Sequence, residues 1–111
     1  MADPSYSTRD DFAAGLERLL TAVEAYYPDF TMIDRDRLTR AYWFGYGAHK
    51  DQKRKSGEPY YMHPVEASMI LLQIKPDLDT LIACLLHDVI EDTPTTADEI
   101  EREFGPGVRF I

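Results

Sequence analysis

The strongest constraint on the fold is a run of six apolar residues, 81–86, that leads directly into a cluster of polar side chains. The pattern predicts a helix that begins at Asp77 or Asp79 and extends over residues 78 to about 91. Apolar groups lie on nearly every side of this helix. Pro94 stops it, because proline is disfavoured in a helix interior. Helices that are apolar all round are usually buried, so this segment predicts a buried helix that ends in polar groups.

Four further helices are indicated by apolar residues at helical spacing and by their boundary residues. Capping side chains at Ser7, Asp34 and Thr96 begin three of them, and Pro64 suits the first turn of the fourth. The four segments extend over residues 7–28, 34–49, 64–76 and 96–105. No segment alternates with period two, so we predict an all-α fold in which residues 1–111 form a single domain.

The composition argues against two classes of partner. A formal net charge of −8 disfavours nucleic-acid binding, because proteins that bind nucleic acids usually present a basic surface. No apolar run approaches the roughly 18 residues that a membrane span needs, and the N-terminus lacks a secretory signal. Cys84 lies within the apolar run, which indicates a buried free thiol. We therefore expect a cytoplasmic protein that spans no membrane.

The last four residues, Val108-Arg109-Phe110-Ile111, form an apolar-leaning segment typical of the start of another helix. Exposed apolar termini are normally held by packing, so we expect a fragment of a longer protein. The helical bundle is then incomplete at its C-terminus, and its uncovered apolar faces favour self-association.

The polar cluster after the apolar run contains His87, Asp88, Glu91 and Asp92. Positions four apart share a helix face, so all four side chains can point into one sector. The partial negative charge of a helix C-terminus opposes three carboxylates there. A divalent metal held by His87 and Asp88 removes this conflict, whereas a frayed, solvated helix end is the alternative. His63, at the start of another helix, is a candidate third ligand, although a cap or a packed side chain would also explain it.

A basic loop, residues 53–62, precedes His63. It contains side chains suited to binding a purine nucleotide with several phosphates. An arginine can stack on a base or bind phosphate oxygens, and a lysine adds a mobile positive charge. A solvated charged loop is the alternative explanation. His49, beside the loop, is better explained by capping or packing than by metal binding. The candidate nucleotide-binding residues are Arg54, Lys55, Ser56 and Tyr60.

In combination, these segments resemble the N-terminal hydrolase domain of the RelA/SpoT family of stringent-response enzymes. The similarity extends from about residue 16 to the last residue. The resemblance implies an HD-type helical bundle that holds one Mn²⁺ and removes the 3′-pyrophosphate from the alarmones ppGpp and pppGpp. The matching segments are Arg54-Lys55-Ser56-Gly57-Glu58-Pro59-Tyr60, His63-Pro64, Leu86-His87-Asp88, Glu91-Asp92-Thr93 and Glu103-Phe104-Gly105.

The resemblance also implies a role for each matching side chain. The implied metal ligands are His63, His87 and Asp88. The implied pair that positions and activates the attacking water is Glu91 and Asp92. The implied nucleotide contacts are Arg54 on the guanine, with Lys55, Ser56 and Tyr60 lining the pocket. Family members add an aspartate ligand and an asparagine from a later helix, and this sequence ends before both. We therefore expect these 111 residues alone to be weakly active or inactive.

Two other functions stay open at this point. An HD phosphohydrolase of another nucleotide would share the metal residues but would not need the loop around Arg54. A module that binds the alarmone without hydrolysing it is compatible with the missing fourth ligand.

Overall fold

The computed structural model of the chain describes residues 9–49, 52 and 59–108. These residues form α-helices and two short 3₁₀ turns, at Leu72–Ile74 and Pro106–Val108, and they contain no β-strand, which confirms the predicted all-α fold. No helix in these ranges is long and apolar enough to cross a membrane. The helices are α1 (Arg9–Tyr26), α2 (Met32–His49), α3 (Met62–Leu71), α4 (Leu78–Leu86), α5 (Val89–Asp92) and α6 (Ala97–Phe104).

The hydrophobic core is built around α4, which packs against both α2 and α3. Its side chains Leu81, Ile82, Leu85 and Leu86 are almost completely buried. Burying a leucine-sized side chain contributes roughly 1.5–3 kcal/mol, so these four anchor the helix firmly. The helix is not buried on all sides, however, because Cys84 is a free cysteine that is only partly buried. The predicted free thiol is confirmed, but its predicted burial is only partial.

The start of α2 differs from the prediction. The helix begins at Met32, and Thr31 caps it in place of the predicted Asp34. The Asp34 N–H donates to Thr31 Oγ1 at 3.1 Å, and the Thr31 N–H donates to Asp34 Oδ2 at 3.2 Å. This reciprocal pair satisfies two backbone donors that a helix start leaves unpaired. Asp34 therefore completes the cap from the first turn of the helix.

The predicted boundaries of α4 and α6 are confirmed at their N-termini. The Thr80 N–H donates to Asp77 Oδ1 at 2.7 Å, and hydrogen bonds from Thr80 hold the pKa of the Asp77 carboxyl below its ordinary value of 3.8. The Glu99 N–H donates to Thr96 Oγ1 at 3.2 Å. Gly105 follows α6 with a φ of 97°, a backbone conformation that glycine adopts without strain.

The long helix predicted over residues 78–91 is interrupted in the structure. α4 ends at Leu86, His87 and Asp88 form a turn, and the short helix α5 follows. The Nδ1 atom of His87 lies 2.8 Å from the Cys84 carbonyl oxygen, so the side chain occupies an acceptor in the last turn of α4. Asp88 has φ −90° and ψ −8°, a sparsely populated region in which many active-site residues lie.

Candidate functional site

The turn between α4 and α5 places His87 and Asp88 side by side, with Nε2 of His87 3.2 Å from Oδ1 of Asp88. Nδ1 of the same ring contacts the Cys84 carbonyl. A carbonyl oxygen only accepts hydrogen bonds, so Nδ1 carries a proton, and in the neutral form of the ring the lone pair of Nε2 is directed towards Asp88. Two acceptors at this distance repel each other unless a proton or a cation lies between them.

The His87–Asp88 pair has the spacing that a shared metal ion requires. Two ligands bound at about 2.1 Å, with tetrahedral to octahedral angles, lie about 3.0–3.4 Å apart. The observed 3.2 Å falls in this interval. Metal-ligating histidines also typically donate their second ring N–H to a carbonyl or carboxylate, as His87 does to Cys84. The Asp88 side chain is 15% exposed and that of His87 is 45% exposed, so the pair is accessible from solvent. These two side chains therefore fit a divalent cation.

His63, the predicted third ligand, is exposed in the first turn of α3. Within the ranges 9–49, 52 and 59–108, no group of three or more His, Cys, Asp or Glu side chains is placed to hold a metal ion. The structure thus brings together two of the three predicted ligands and does not bring His63 to them. Its role as a ligand stays a prediction.

Tyr60 links the basic loop to the acidic end of α5. Its hydroxyl donates to Asp92 Oδ2 at 2.7 Å. This hydrogen bond, followed by burial and the negative charges of Asp88 and Asp92, raises the pKa of Tyr60 to about 12. The phenol therefore remains a protonated donor at neutral pH and orients one carboxylate oxygen of Asp92.

Glu91 and Asp92, the predicted water-activating pair, are exposed at the end of α5. Among the described residues, neither carboxylate forms an ion pair with a lysine or arginine. The catalytic role of the two side chains stays a prediction.

Three of the predicted nucleotide-binding residues, Arg54, Lys55 and Ser56, lie outside the described residues. The residues that flank them are described. The Tyr60 N–H donates to the Gln52 carbonyl at 3.0 Å, and Nε2 of Gln52 donates to the Asp92 carbonyl at 2.8 Å. Both flanks of the basic loop are thus held beside Asp92.

Sequence reasoning missed Gln52 and the details of His49. His49 is packed, as expected, and its ring stacks on that of Tyr60 with centroids 4.9 Å apart. The only signal in the sequence was the spacing of His49 and Gln52, three residues apart at the end of α2. That spacing does not reveal a contact with Asp92, which lies 40 residues further along the chain.

The sequence profile of the HD-domain family matches residues 41–111. This range includes every residue of the candidate site and more than half of the chain. The chain therefore belongs to the HD-domain family. The HD assignment accounts for an all-helical chain with a histidine and an aspartate adjacent at a helix end.

The HD chain is also similar in sequence to several named bacterial proteins. The bifunctional (p)ppGpp synthase/hydrolase SpoT of Escherichia coli (strain K12) is 46% identical over 92 residues, which are 83% of this chain and 13% of that protein. The guanosine-3′,5′-bis(diphosphate) 3′-pyrophosphohydrolase of Aquifex aeolicus is 42% identical over 93 residues, 84% of this chain and 13% of that protein. The GTP pyrophosphokinase rsh of Brucella melitensis is 41% identical over 90 residues, 81% of this chain and 12% of that protein.

These similarities confirm the resemblance to the N-terminal region of the RelA/SpoT enzymes. The HD chain spans 13% of the length of the first two relatives, so their full activities belong to much longer proteins.

Proposed function

We propose that this HD chain is the metal-binding part of a Mn²⁺-dependent phosphohydrolase that removes the 3′-pyrophosphate of ppGpp or pppGpp. The observation that carries the proposal is the 3.2 Å approach of His87 Nε2 to Asp88 Oδ1, with Nδ1 of the ring already engaged by a carbonyl. Relatives with an HD domain are named for this reaction, which supports the choice of substrate.

The metal would be held by His87 and Asp88, with His63 as a third ligand. A bound Mn²⁺ supplies two effects in such a site, since it polarises a phosphoryl oxygen and lowers the pKa of a coordinated water. The imidazole and carboxylate ligands suit Mn²⁺ as well as Zn²⁺ or Fe²⁺. The chain's own contribution is to fix the tautomer of neutral His87, because an Nδ1–H that donates to the Cys84 carbonyl leaves Nε2 as the ring atom that can bind the metal.

Glu91 and Asp92 would orient the attacking water and accept its proton. Such a base must lie within hydrogen-bond reach of the water, and a carboxylate fixed by a second group meets that condition more often than a freely rotating one. The hydrogen bond from Tyr60 leaves the other oxygen of Asp92 available. Asp92 is therefore the better oriented member of the pair.

The nucleotide would bind along the basic loop, with Arg54 on the guanine and Lys55 and Ser56 near phosphates. Because the Tyr60 hydroxyl is engaged by Asp92 and one face of its ring lies on His49, its contact with the nucleotide would come from the remaining face. A small anionic ligand, and no nucleic acid, is the partner that a chain of net charge −8 with one basic loop would take. A cytoplasmic location belongs to the same proposal.

Self-association is the second part of the partner proposal. Several large apolar side chains are exposed in the described part of the chain, and exposed apolar groups favour association. They are Met32, Ile33, Ile70 and Ile74, at 67–79% exposure. Light scattering over a range of concentrations measures the expected increase in mass.

The decisive experiment is product analysis after incubation with ppGpp and Mn²⁺. We expect only slow release of pyrophosphate and GDP by these 111 residues alone, and neither product after chelation of the metal or in His87→Ala. Binding of ppGpp without release of pyrophosphate in Mn²⁺ would contradict catalysis and favour a non-catalytic alarmone-binding module. Faster hydrolysis of an ordinary nucleoside triphosphate than of ppGpp would contradict the assigned substrate.

A further inference from the structure

His49 is a buried histidine that the proposed reaction does not use. It ends α2 and is 1% exposed, which makes it one of the few buried polar side chains in the described part of the chain. Burial of a polar ring is costly unless its polar atoms are hydrogen-bonded. The hydrogen bonds of the His49 ring therefore indicate its structural role.

The hydrogen bonds of Gln52 indicate which ring nitrogen of His49 carries a proton. Nε2 of Gln52 donates to the Asp92 carbonyl at 2.8 Å, and a carbonyl only accepts, so the nitrogen of the amide faces Asp92. The amide oxygen of Gln52 then lies 3.0 Å from His49 Nδ1. Because that oxygen also only accepts, Nδ1 of His49 must carry the proton and donate.

The other ring nitrogen of His49 agrees with this assignment. Nε2 is buried and has no hydrogen-bond partner among the residues that the structure describes. A buried N–H donor without a partner is rarer than a buried acceptor without one. Nδ1 is therefore the protonated nitrogen, and the ring acts as the first donor in a chain from His49 through Gln52 to Asp92.

A second connection leads from the same ring to the same aspartate. The rings of His49 and Tyr60 stack with an interplanar angle of 27°, and the Tyr60 hydroxyl donates to the Asp92 carboxylate. Asp92 is thus held at its backbone by Gln52 and at its side chain by Tyr60. Both connections begin at His49.

We propose that His49 is a positioning residue that keeps the Asp92 carboxylate in one orientation through Gln52 and Tyr60. An exposed aspartate at the end of a four-residue helix would otherwise sample several rotamers. Catalytic groups must be held within about 0.5 Å of their productive position, which explains the use of a buried anchor. The catalytic part of this inference rests on the proposed function; the positioning itself does not.

The test of positioning is spectroscopic and needs no turnover. The chain contains three histidines, so ¹⁵N spectra of the imidazoles are simple, and His63→Gln and His87→Gln assign the other two rings. We expect His49 to show a protonated Nδ1 and an unprotonated Nε2, and the β-protons of Asp92 to report a single χ1 rotamer. In Gln52→Leu, the proton of His49 should no longer be confined to Nδ1, because its acceptor is lost. In Tyr60→Phe, the Asp92 side chain should average over several χ1 rotamers.

Tyr26→Phe is the matched control, because it removes a phenol hydroxyl from an exposed tyrosine at the end of α1. It should leave both signals as in the wild type. His49→Leu removes the residue at which both connections begin and should change both signals. Gln52→Leu and Tyr60→Phe alter only partly exposed side chains, so they keep the test valid if His49→Leu does not fold. Protonation of His49 on Nε2, or an unchanged Asp92 rotamer in Tyr60→Phe, would overturn the proposal.

Turnover of ppGpp by the same variants separates positioning from the proposed function. We expect kcat to fall by about 10–100-fold in Gln52→Leu and Tyr60→Phe, with KM unchanged, since the lost hydrogen bonds support a reacting group. If the wild-type chain hydrolyses ppGpp and the variants retain the wild-type kcat, the catalytic part of the inference is overturned. Absence of turnover in the wild type would contradict the proposed function alone, because the spectra decide the positioning.

Discussion

The two ends of α4 carry acidic side chains in opposite electrostatic settings. At the N-terminal end, Asp77 accepts a hydrogen bond from the Thr80 N–H, and Asp79 lies 2.5 Å from the guanidinium of Arg37. The partial positive charge of the helix N-terminus also favours these carboxylates. Every charge at this end has a structural partner, so stability alone explains the residues.

The C-terminal end of α4 has no comparable compensation within the described ranges. His87, Asp88, Glu91 and Asp92 follow the negative end of the helix, and no lysine or arginine pairs with the three carboxylates. The one close approach there is between Nε2 of His87 and Oδ1 of Asp88, and it joins two acceptors when the ring is neutral. Within the described ranges, the two ends therefore differ in the partners of their acidic side chains, and this difference motivates the assignment of a cation to the C-terminal end.

The largest expected difference between the two ends is in metal binding. Asp88→Ala should abolish Mn²⁺ binding, because it removes a charged ligand, whereas Asp77→Ala at the other end of the same helix should leave the affinity unchanged. Calorimetric titration and electron paramagnetic resonance with Mn²⁺ measure both. Equal affinities for the two variants would show that the ion does not bind at the C-terminal end.

The second prediction concerns stability, because a ligand that binds only the folded state stabilises it. At a free Mn²⁺ concentration of 100 times Kd, the gain in the free energy of unfolding should be about 2.7 kcal/mol. The gain should disappear in His87→Ala and persist in Asp77→Ala, which starts from a lower baseline. Urea unfolding with and without Mn²⁺ provides the values, and a gain that survives in His87→Ala would contradict the assignment.

A smaller effect is expected one helical turn further on, at Asp92. Asp92→Asn keeps the size of the side chain and removes one negative charge near the ion without removing a ligand. The Mn²⁺ affinity should fall by no more than about 10–100-fold, the range typical of groups that support a ligand. Asp29→Asn, in the connection between α1 and α2, is the matched control and should have no effect. A loss at Asp92 as complete as that at Asp88 would make Asp92 a ligand.

The same two ends show what the sequence can predict. The Thr96 cap was predicted correctly, and Asp77 is one of the two caps predicted for α4, because each capping contact spans only three residues. The start of α2 was placed too late, since Thr31 and Asp34 both have capping side chains and the exposed Met32 and Ile33 do not follow the apolar pattern. Local patterns thus locate helix ends to within a few residues.

The C-terminal end of α4 was only partly predictable. The sequence placed His87 and Asp88 together, but the break in the helix is accompanied by a hydrogen bond from the His87 ring to the Cys84 carbonyl, which apolar periodicity does not encode. The contacts of Asp92 with Gln52 and Tyr60 connect residues 40 and 32 positions apart, so only the folded chain reveals them.

The smallest predicted effect is the pH dependence of the N-terminal cap. Asp77→Ala should lower the free energy of unfolding by about 1 kcal/mol at neutral pH, the usual cost of losing an N-cap. The hydrogen bonds from Thr80 lower the pKa of Asp77 relative to its ordinary value of 3.8, so the charged cap stabilises the folded state above that pH. Its contribution is lost as the pH falls through the lowered pKa.

The difference in stability between wild type and Asp77→Ala should therefore be constant from pH 7 down to the ordinary aspartate pKa of 3.8 and shrink below it. Urea unfolding at a series of pH values measures this difference, with Asp29→Ala as an exposed aspartate outside any helix for comparison. A difference that grew on acidification would mean that the folded state raises the pKa of Asp77. The N-terminal end of α4 would then also carry an unfavourable negative charge, and the contrast with the His87–Asp88 end would no longer single out a cation site.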